Sequence, residues 1–260
     1  MSRRTAPWRP GVPCWFEVAA SDPARSRAFY ADVLGWSFTE DGADPTGRVD
    51  GRAAGAVVTE GPPGRILLHV AVDDVGATVT AAGAAGGSVL EPATDVEGQG
   101  RRAVLADPGG MPFAVWQAGG RIGAEVTGEP GSLVWEDLRS PDPDAARAFF
   151  AELFGWRYEV LPFPGAEGYT TFHLSAERSG SDAPSHPLGG IGPLWGFAPG
   201  WRVCLAVADP DAATTAATQA GGAVSDDPKD TPFGRIGEVR DPDGAVLAVM
   251  STTGPEPVWD

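Results

Sequence analysis

Residues Trp15 to Trp36 read WFEVAASDPARSRAFYADVLGW, and 120 positions later, from Trp135 to Trp156, the chain reads WEDLRSPDPDAARAFFAELFGW with no gap needed. A duplication of this length makes the 260 residues two similar halves of about 130 each, a size at which each half can bury a core of its own. In the first copy CWFEV reads as a short strand and Asp22 as a helix N-cap, with Pro23 at the first helical position. Phe29 then stands over Val33 and Tyr30 over Leu34, an apolar stripe at i, i+4 spacing. Gly35 supplies a left-handed stop. The second copy repeats the plan with LVWEDL, Asp142, Pro143, Phe149, Leu153 and Gly155.

A second pair of similar segments lies between and beyond these. LLHVAVDDVGATVTAAGAAGG begins at Leu67 and RVCLAVADPDAATTAATQAGG at Arg202. Each reads as an alternating strand, an acidic turn, an Ala-rich helix and a closing Gly-Gly. LADPGGMPFAVWQ (from Leu105) pairs with VRDPDGAVLAVMS (from Val239), and in both Asp-Pro-x-Gly makes a hairpin turn between strands. Each half therefore holds two strand–helix–strands units. The Gly-rich bridge AGGRIGAEVTGEPGS separates them, which predicts one domain over residues 1–120, a linker over 121–131 and a second domain over 132–260.

The DPxxxxxFYxxxLGW helices, the AVDDV turn and the DPxG hairpins resemble those of the vicinal-oxygen-chelate superfamily, which includes glyoxalase I, extradiol dioxygenases and the bleomycin-resistance proteins. The resemblance covers nearly the whole chain. It implies an α+β fold in which four βαβββ modules form two glyoxalase-like domains, their concave mixed sheets curved around a cavity. Whether modules pair within a half or across halves is left open. A shared fold does not fix chemistry.

Metal-using members place a ligand seven residues before the Asp of the helix or turn, and a Glu seven residues after the hairpin Asp. Here those places hold Trp15, Trp135, Leu67, Arg202, Ala114 and Ala248. None offers the imidazole or carboxylate that a divalent ion takes. The resemblance therefore arrives without its metal, and neither a metal nor another cofactor is expected. Residues two apart on a strand share a face, so Glu17 accompanies Trp15, Asp137 accompanies Trp135, His69 accompanies Leu67, Cys204 accompanies Arg202 and Trp116 accompanies Ala114. That face reads as apolar walls with few polar anchors, the make-up of an organic-ligand pocket. Trp15, Leu67, Trp116, Trp135 and Arg202 are its candidate lining. Trp195 and Trp201 join them from the loop GPLWGFAPGWR, which also carries Phe197 and reads equally as a lid or as an interface plug. Glu17, Asp137 and His69 are the candidate acid–base groups. Each has a bland counterpart: core tryptophans, carboxylates in structural ion pairs, a satisfied core histidine. His173 and His186 carry less signal.

With 19 basic and 35 acidic residues, the net charge of −16 repels phosphate backbones and excludes a nucleic-acid partner. The sequence shows neither a signal peptide nor an apolar run long enough to span a membrane. Cys14 and Cys204 read as buried thiols of a reducing, cytoplasmic compartment. The expected partner is a small aromatic or polyketide-like molecule, bound by a monomer or homodimer of resistance or carrier type. The alternatives are a metal-independent lyase, isomerase or hydrolase-type enzyme on the same fold, and a chain in which one half only supports the other.

Overall fold

The computed structural model describes residues 4–39, 45–161, 166–175, 187–231 and 233–251. The first unit comprises β1 (Pro13–Ala19), α1 (Pro23–Leu34), β2 (Thr46–Val49) and β3 (Arg52–Val58). The second runs β4 (Ile66–Ala71), α2 (Val75–Ala84), β5 (Ser88–Val96), β6 (Gly100–Ala106) and β7 (Pro112–Ala118). The third has β8 (Leu133–Arg139), α3 (Pro143–Phe154), β9 (Trp156–Val160), β10 (Thr170–Leu174) and β11 (Gly189–Gly192). The fourth has β12 (Gly200–Val207), α4 (Pro210–Gln219), β13 (Ala223–Thr231), β14 (Gly234–Arg240) and β15 (Val246–Ser251). Among the described residues the first unit is one strand short of the expected plan. Among the described residues, the segment after α1 pairs only through a single bridge between Ser37 and Arg48.

The caps form as the residues require. Asp22 accepts the backbone N–H groups of Ala24 and Arg25, each at 3.1 Å, and Asp142 accepts that of Ala145 at 3.0 Å. Gly35 and Gly155 both end their helices at φ 69°, where a side chain would be strained.

Modules pair within each half. One sheet of seven strands has the order β2-β3-β1-β4-β7-β6-β5, and the other, of eight, has β13-β14-β15-β12-β8-β11-β10-β9. In both sheets the first strands of the two units run antiparallel side by side, β1 with β4 and β8 with β12. One hydrophobic core draws on both sheets and all four described helices, so one face of each sheet points at a shared helical layer and the other points away. α1 packs on α4, and α3 on α2.

The repeat also ties the halves together. The Trp36 indole donates to the carbonyl of Gly131, and the Trp156 indole to that of Gly11, both at 2.7 Å. Tyr30 donates to Asp241 of the second half's hairpin at 3.0 Å. The second copy has Phe150 in place of Tyr30, and the matching Asp107 Oδ2 has no hydrogen-bond partner among the described residues.

Candidate functional site

Strand alternation and register put Trp15 and Glu17 of β1 on the outward face of the first sheet, with Trp15 opposite His69 and Glu17 opposite Leu67. This face is closed. Trp15, Trp116, Leu67, Glu17 and His69 are all buried. Arg121, just past β7, lays its guanidinium 4.9 Å from the Trp15 ring centroid and 4.3 Å from that of Trp116. The Trp116 indole donates to the Arg121 carbonyl at 3.0 Å, which ties the plug in place. The following residues lie over the strands: Ala124 N–H donates to Cys14, and Glu125 N–H to Ala53, each at 2.7 Å.

Beneath the plug Glu17 sits in a cluster of positive charge. Its Oε2 is 3.2 Å from Arg102 Nη1 and 3.4 Å from His69 Nε2, and its Oε1 is 3.9 Å from Arg121 Nη1. Burial alone would push this carboxyl up, but His69, Arg102 and Arg121 together outweigh burial and bring it down to about 2. Burial lowers the His69 imidazole below its ordinary range, against the opposing pull of Glu17. A carboxylate that binds protons so weakly is a poor general base. The acid–base role expected of Glu17 and His69 thus meets a structural ion pair under a plug; of the expected lining, Trp116 borders a cavity of about 220 Å³ shared with Trp8, Asp73 and Ile122, while Trp15 and Leu67 are enclosed.

The corresponding face of the second sheet is built differently. β8 presents Trp135, Asp137 and Arg139 in succession, where the first copy has Trp15, Glu17 and Ala19. Register sets Arg202 opposite Asp137 and Cys204 opposite Trp135. Tyr169 donates to Asp137 Oδ1 at 2.5 Å, the Trp135 indole lies 3.1 Å from the Tyr169 hydroxyl, and Arg139 Nη2 donates to Asp137 Oδ2 at 2.6 Å. β11 is nearly all glycine for a steric reason: a Cβ at Gly190 would overlap the Tyr169 hydroxyl, and one at Gly192 would stand 3.0 Å from Arg139 Nη1. Burial first, and then Asp137, hold the Tyr169 phenol well above its ordinary value, so it remains a donor to the carboxylate.

The loop between β11 and β12 roofs this cluster. Trp195 stacks beside Tyr169 with ring centroids 6.0 Å apart and lies 4.9 Å from the Arg139 guanidinium. Phe197 lies 4.1 Å from that of Arg202. Trp195 and Phe197 are 44% and 38% exposed. The roof is therefore two large apolar rings that face water on one side and guanidinium on the other. Trp201 is absent from it. As the neighbour of Arg202 on β12 it points to the opposite side and packs among Phe150, Trp156 and Phe172. Cys204 is a buried thiol that burial pushes far up, and Cys14 is likewise pushed up to about 12, so neither is an activated nucleophile. His173 bonds Thr171 at 2.9 Å on β10 and lies 3.7 Å from Glu159. His186 lies outside the described residues.

The donor set does not fit the metal that the fold implies. In the first half the ligand positions Leu67 and Ala114 close with Val104 into a buried apolar cluster. In the second, Arg202 forms an ion pair with Glu238, which is opposite Ala248. A guanidinium already neutralises that carboxylate and would repel a divalent cation. Among the described residues no group of three or more His, Cys, Asp or Glu side chains is arranged to hold a metal ion.

Arg102, Arg121, Arg139 and Tyr169 were missed by reasoning from motifs. Arg139 was within reach, because Trp135, Asp137 and Arg139 alternate along one strand. Arg121 and Tyr169 carry no local signal.

Residues 15–116 and 134–250 match the family model described as a glyoxalase-like domain. The Mycobacterium tuberculosis protein CFP32, provisionally named a glyoxylase, is 32% identical over 257 residues, covering 94% of this chain and 95% of its own. The anthracycline biosynthesis protein DnrV of Streptomyces peucetius is 35% identical over 266 residues, covering 93% of each. Among solved structures, the Mn(II)-bound glyoxalase from Novosphingobium aromaticivorans aligns with a TM-score of 0.65 at 17% identity, over 95% of this chain and 84% of that one. The 2,3-dioxygenase LapB from Pseudomonas sp. KL28 aligns at 0.60 and 14% identity, over 97% of each. At such identities the likeness concerns the fold alone.

Proposed function

The chain belongs to the glyoxalase-like domain family, and on that premise we propose that it binds a small planar aromatic metabolite on its second concave face without a divalent metal. The observation that carries this reading is the contrast between two equivalent faces. One is closed by Arg121 over Trp15 and Trp116, while the other keeps Trp135, Tyr169 and Asp137 under a half-exposed aromatic turn. Flat rings offered on a polar, hydrogen-bonded floor suit a polycyclic ligand with oxygen substituents. The relative from Streptomyces peucetius, an anthracycline biosynthesis protein, supports a place in secondary metabolism for this chain too. The first half then serves as a scaffold.

A second reading is favoured by the Tyr169–Asp137 contact of 2.5 Å. A phenol and a carboxylate so placed could move a proton on the bound compound, which would make the protein a metal-independent enzyme.

Titration with an anthraquinone, followed by tryptophan fluorescence, tests the binding reading. Saturable quenching is expected, weakened several-fold to about tenfold in Trp135→Ala through loss of a stacking partner. No saturable quenching, or identical binding in the variant, would overturn it. Chemical conversion of the bound compound that disappears in Asp137→Asn while binding persists would instead establish the enzyme.

A further inference from the structure

The floor of the second face holds a charged group whose hydrogen-bonding capacity is only partly used. Arg139 is 9% exposed. Its Nη2 donates to Asp137, but Nε and Nη1 are buried and meet no acceptor among the described residues. A guanidinium carries five N–H donors and cannot lose its proton, so these donors cannot be silenced by titration. Leaving them unpaired is costly, and buried donors in folded proteins nearly always find acceptors. What lies over them is aromatic: the ring centroids of Tyr169, Trp195 and Phe197 are 5.3, 4.9 and 5.5 Å from the guanidinium carbon. Ring faces attract the charge but do not replace an oxygen acceptor.

The turn that supplies two of those rings is itself strained. Trp195 has φ 45° and Gly196 φ 86°, with the Phe197 N–H donating to Leu194 at 2.7 Å. This geometry favours glycine, asparagine or aspartate at both central places, and a tryptophan there is held against its backbone preference. The strain, the exposure of both rings and the unpaired donors beneath them meet at one point. Gly192 leaves the space beside Nη1 clear, since a Cβ there would crowd Nη1 and the Tyr169 ring.

We propose that Arg139 is an oxyanion site: Nη1 takes a carboxylate or phenolate oxygen of a planar ligand, and the Trp195–Phe197 turn lifts so that the ligand's rings replace its own over the guanidinium. This deepens the binding reading above and rests on it, by specifying an acidic aromatic rather than a neutral one. The position is particular to the second half, because the first copy has Ala19 where the second has Arg139.

The test compares anthraquinone-2-carboxylate with anthraquinone-2-carboxamide, which share a ring system and differ in charge. Wild-type protein at pH 7 is expected to bind the carboxylate at least about tenfold more tightly. In Arg139→Gln that preference should fall to about one while the amide binds nearly as before. Trp195→Ala, a surface change, removes a ring that competes with the ligand for the guanidinium, so it should tighten both probes several-fold and keep their ratio. Equal affinities in wild type, or a preference that survives Arg139→Gln, would overturn the oxyanion site while leaving aromatic binding intact. Unchanged or weakened affinities in Trp195→Ala would overturn the displacement of the turn. Failure of both probes to bind would remove the underlying reading as well. Should Arg139→Gln not fold, the wild-type ratio and the Trp195 variant still decide.

Discussion

Glu17→Gln separates a structural carboxylate from a catalytic one by its effect on stability. The substitution keeps the shape of the side chain and removes its charge from between His69, Arg102 and Arg121. Holding this carboxyl at about 2, against an ordinary value of 4.5, corresponds to about 3 kcal/mol of stabilisation of the folded state. Arg102 retains Glu91 at 2.8 Å in the variant, which limits the penalty of an unpaired charge. The expected loss at pH 7 is therefore about 2–4 kcal/mol, or a fall in Tm of about 4–16 °C for a protein of this size. The sign with pH follows from the depressed value. The stabilisation is complete above the unfolded-state value near 4.5 and drains away as pH falls through about 2. Urea unfolding followed by tryptophan fluorescence at pH 7, 4 and 3 should show a large deficit at pH 7 that narrows at the acid end. A variant as stable as wild type at pH 7, or a deficit undiminished at pH 3, would refute the ion-pair cluster.

Tyr30→Phe should cost about 1–3 kcal/mol, because it strands Asp241 Oδ2 at the joint between the halves; an unchanged urea midpoint would show that this bond contributes nothing. Elemental analysis of the purified protein should find far less than one zinc, iron, nickel or manganese per chain, and a chelator should leave Tm unchanged. A stoichiometric metal would mean that the Arg202–Glu238 pair gives way to it.

The strand, cap and stop of each repeat were legible in the sequence because the interactions that make them are local. Asp22 bonds amides two and three residues away, and Gly35 needs only its own backbone freedom. That Trp15 shares a face with Glu17, and Trp135 with Asp137, follows from period-two alternation, whereas the structure decided that Trp15's face turns away from the helical core. The same rule, applied to adjacent residues, would have put Trp201 on the far side of β12 from Arg202. Which of two nearly identical faces carries the arginine–carboxylate–tyrosine cluster was decided only in three dimensions. It turns on Arg121, a residue of the bridge between domains, folding back over Trp15, and on Tyr169 and Trp195 arriving from later connections to cover Asp137 and Arg139. No periodicity links these residues. They meet because the sheet registers bring distant strands together, and once Glu17 is enclosed by His69 and arginines its charge holds the core rather than serving a ligand.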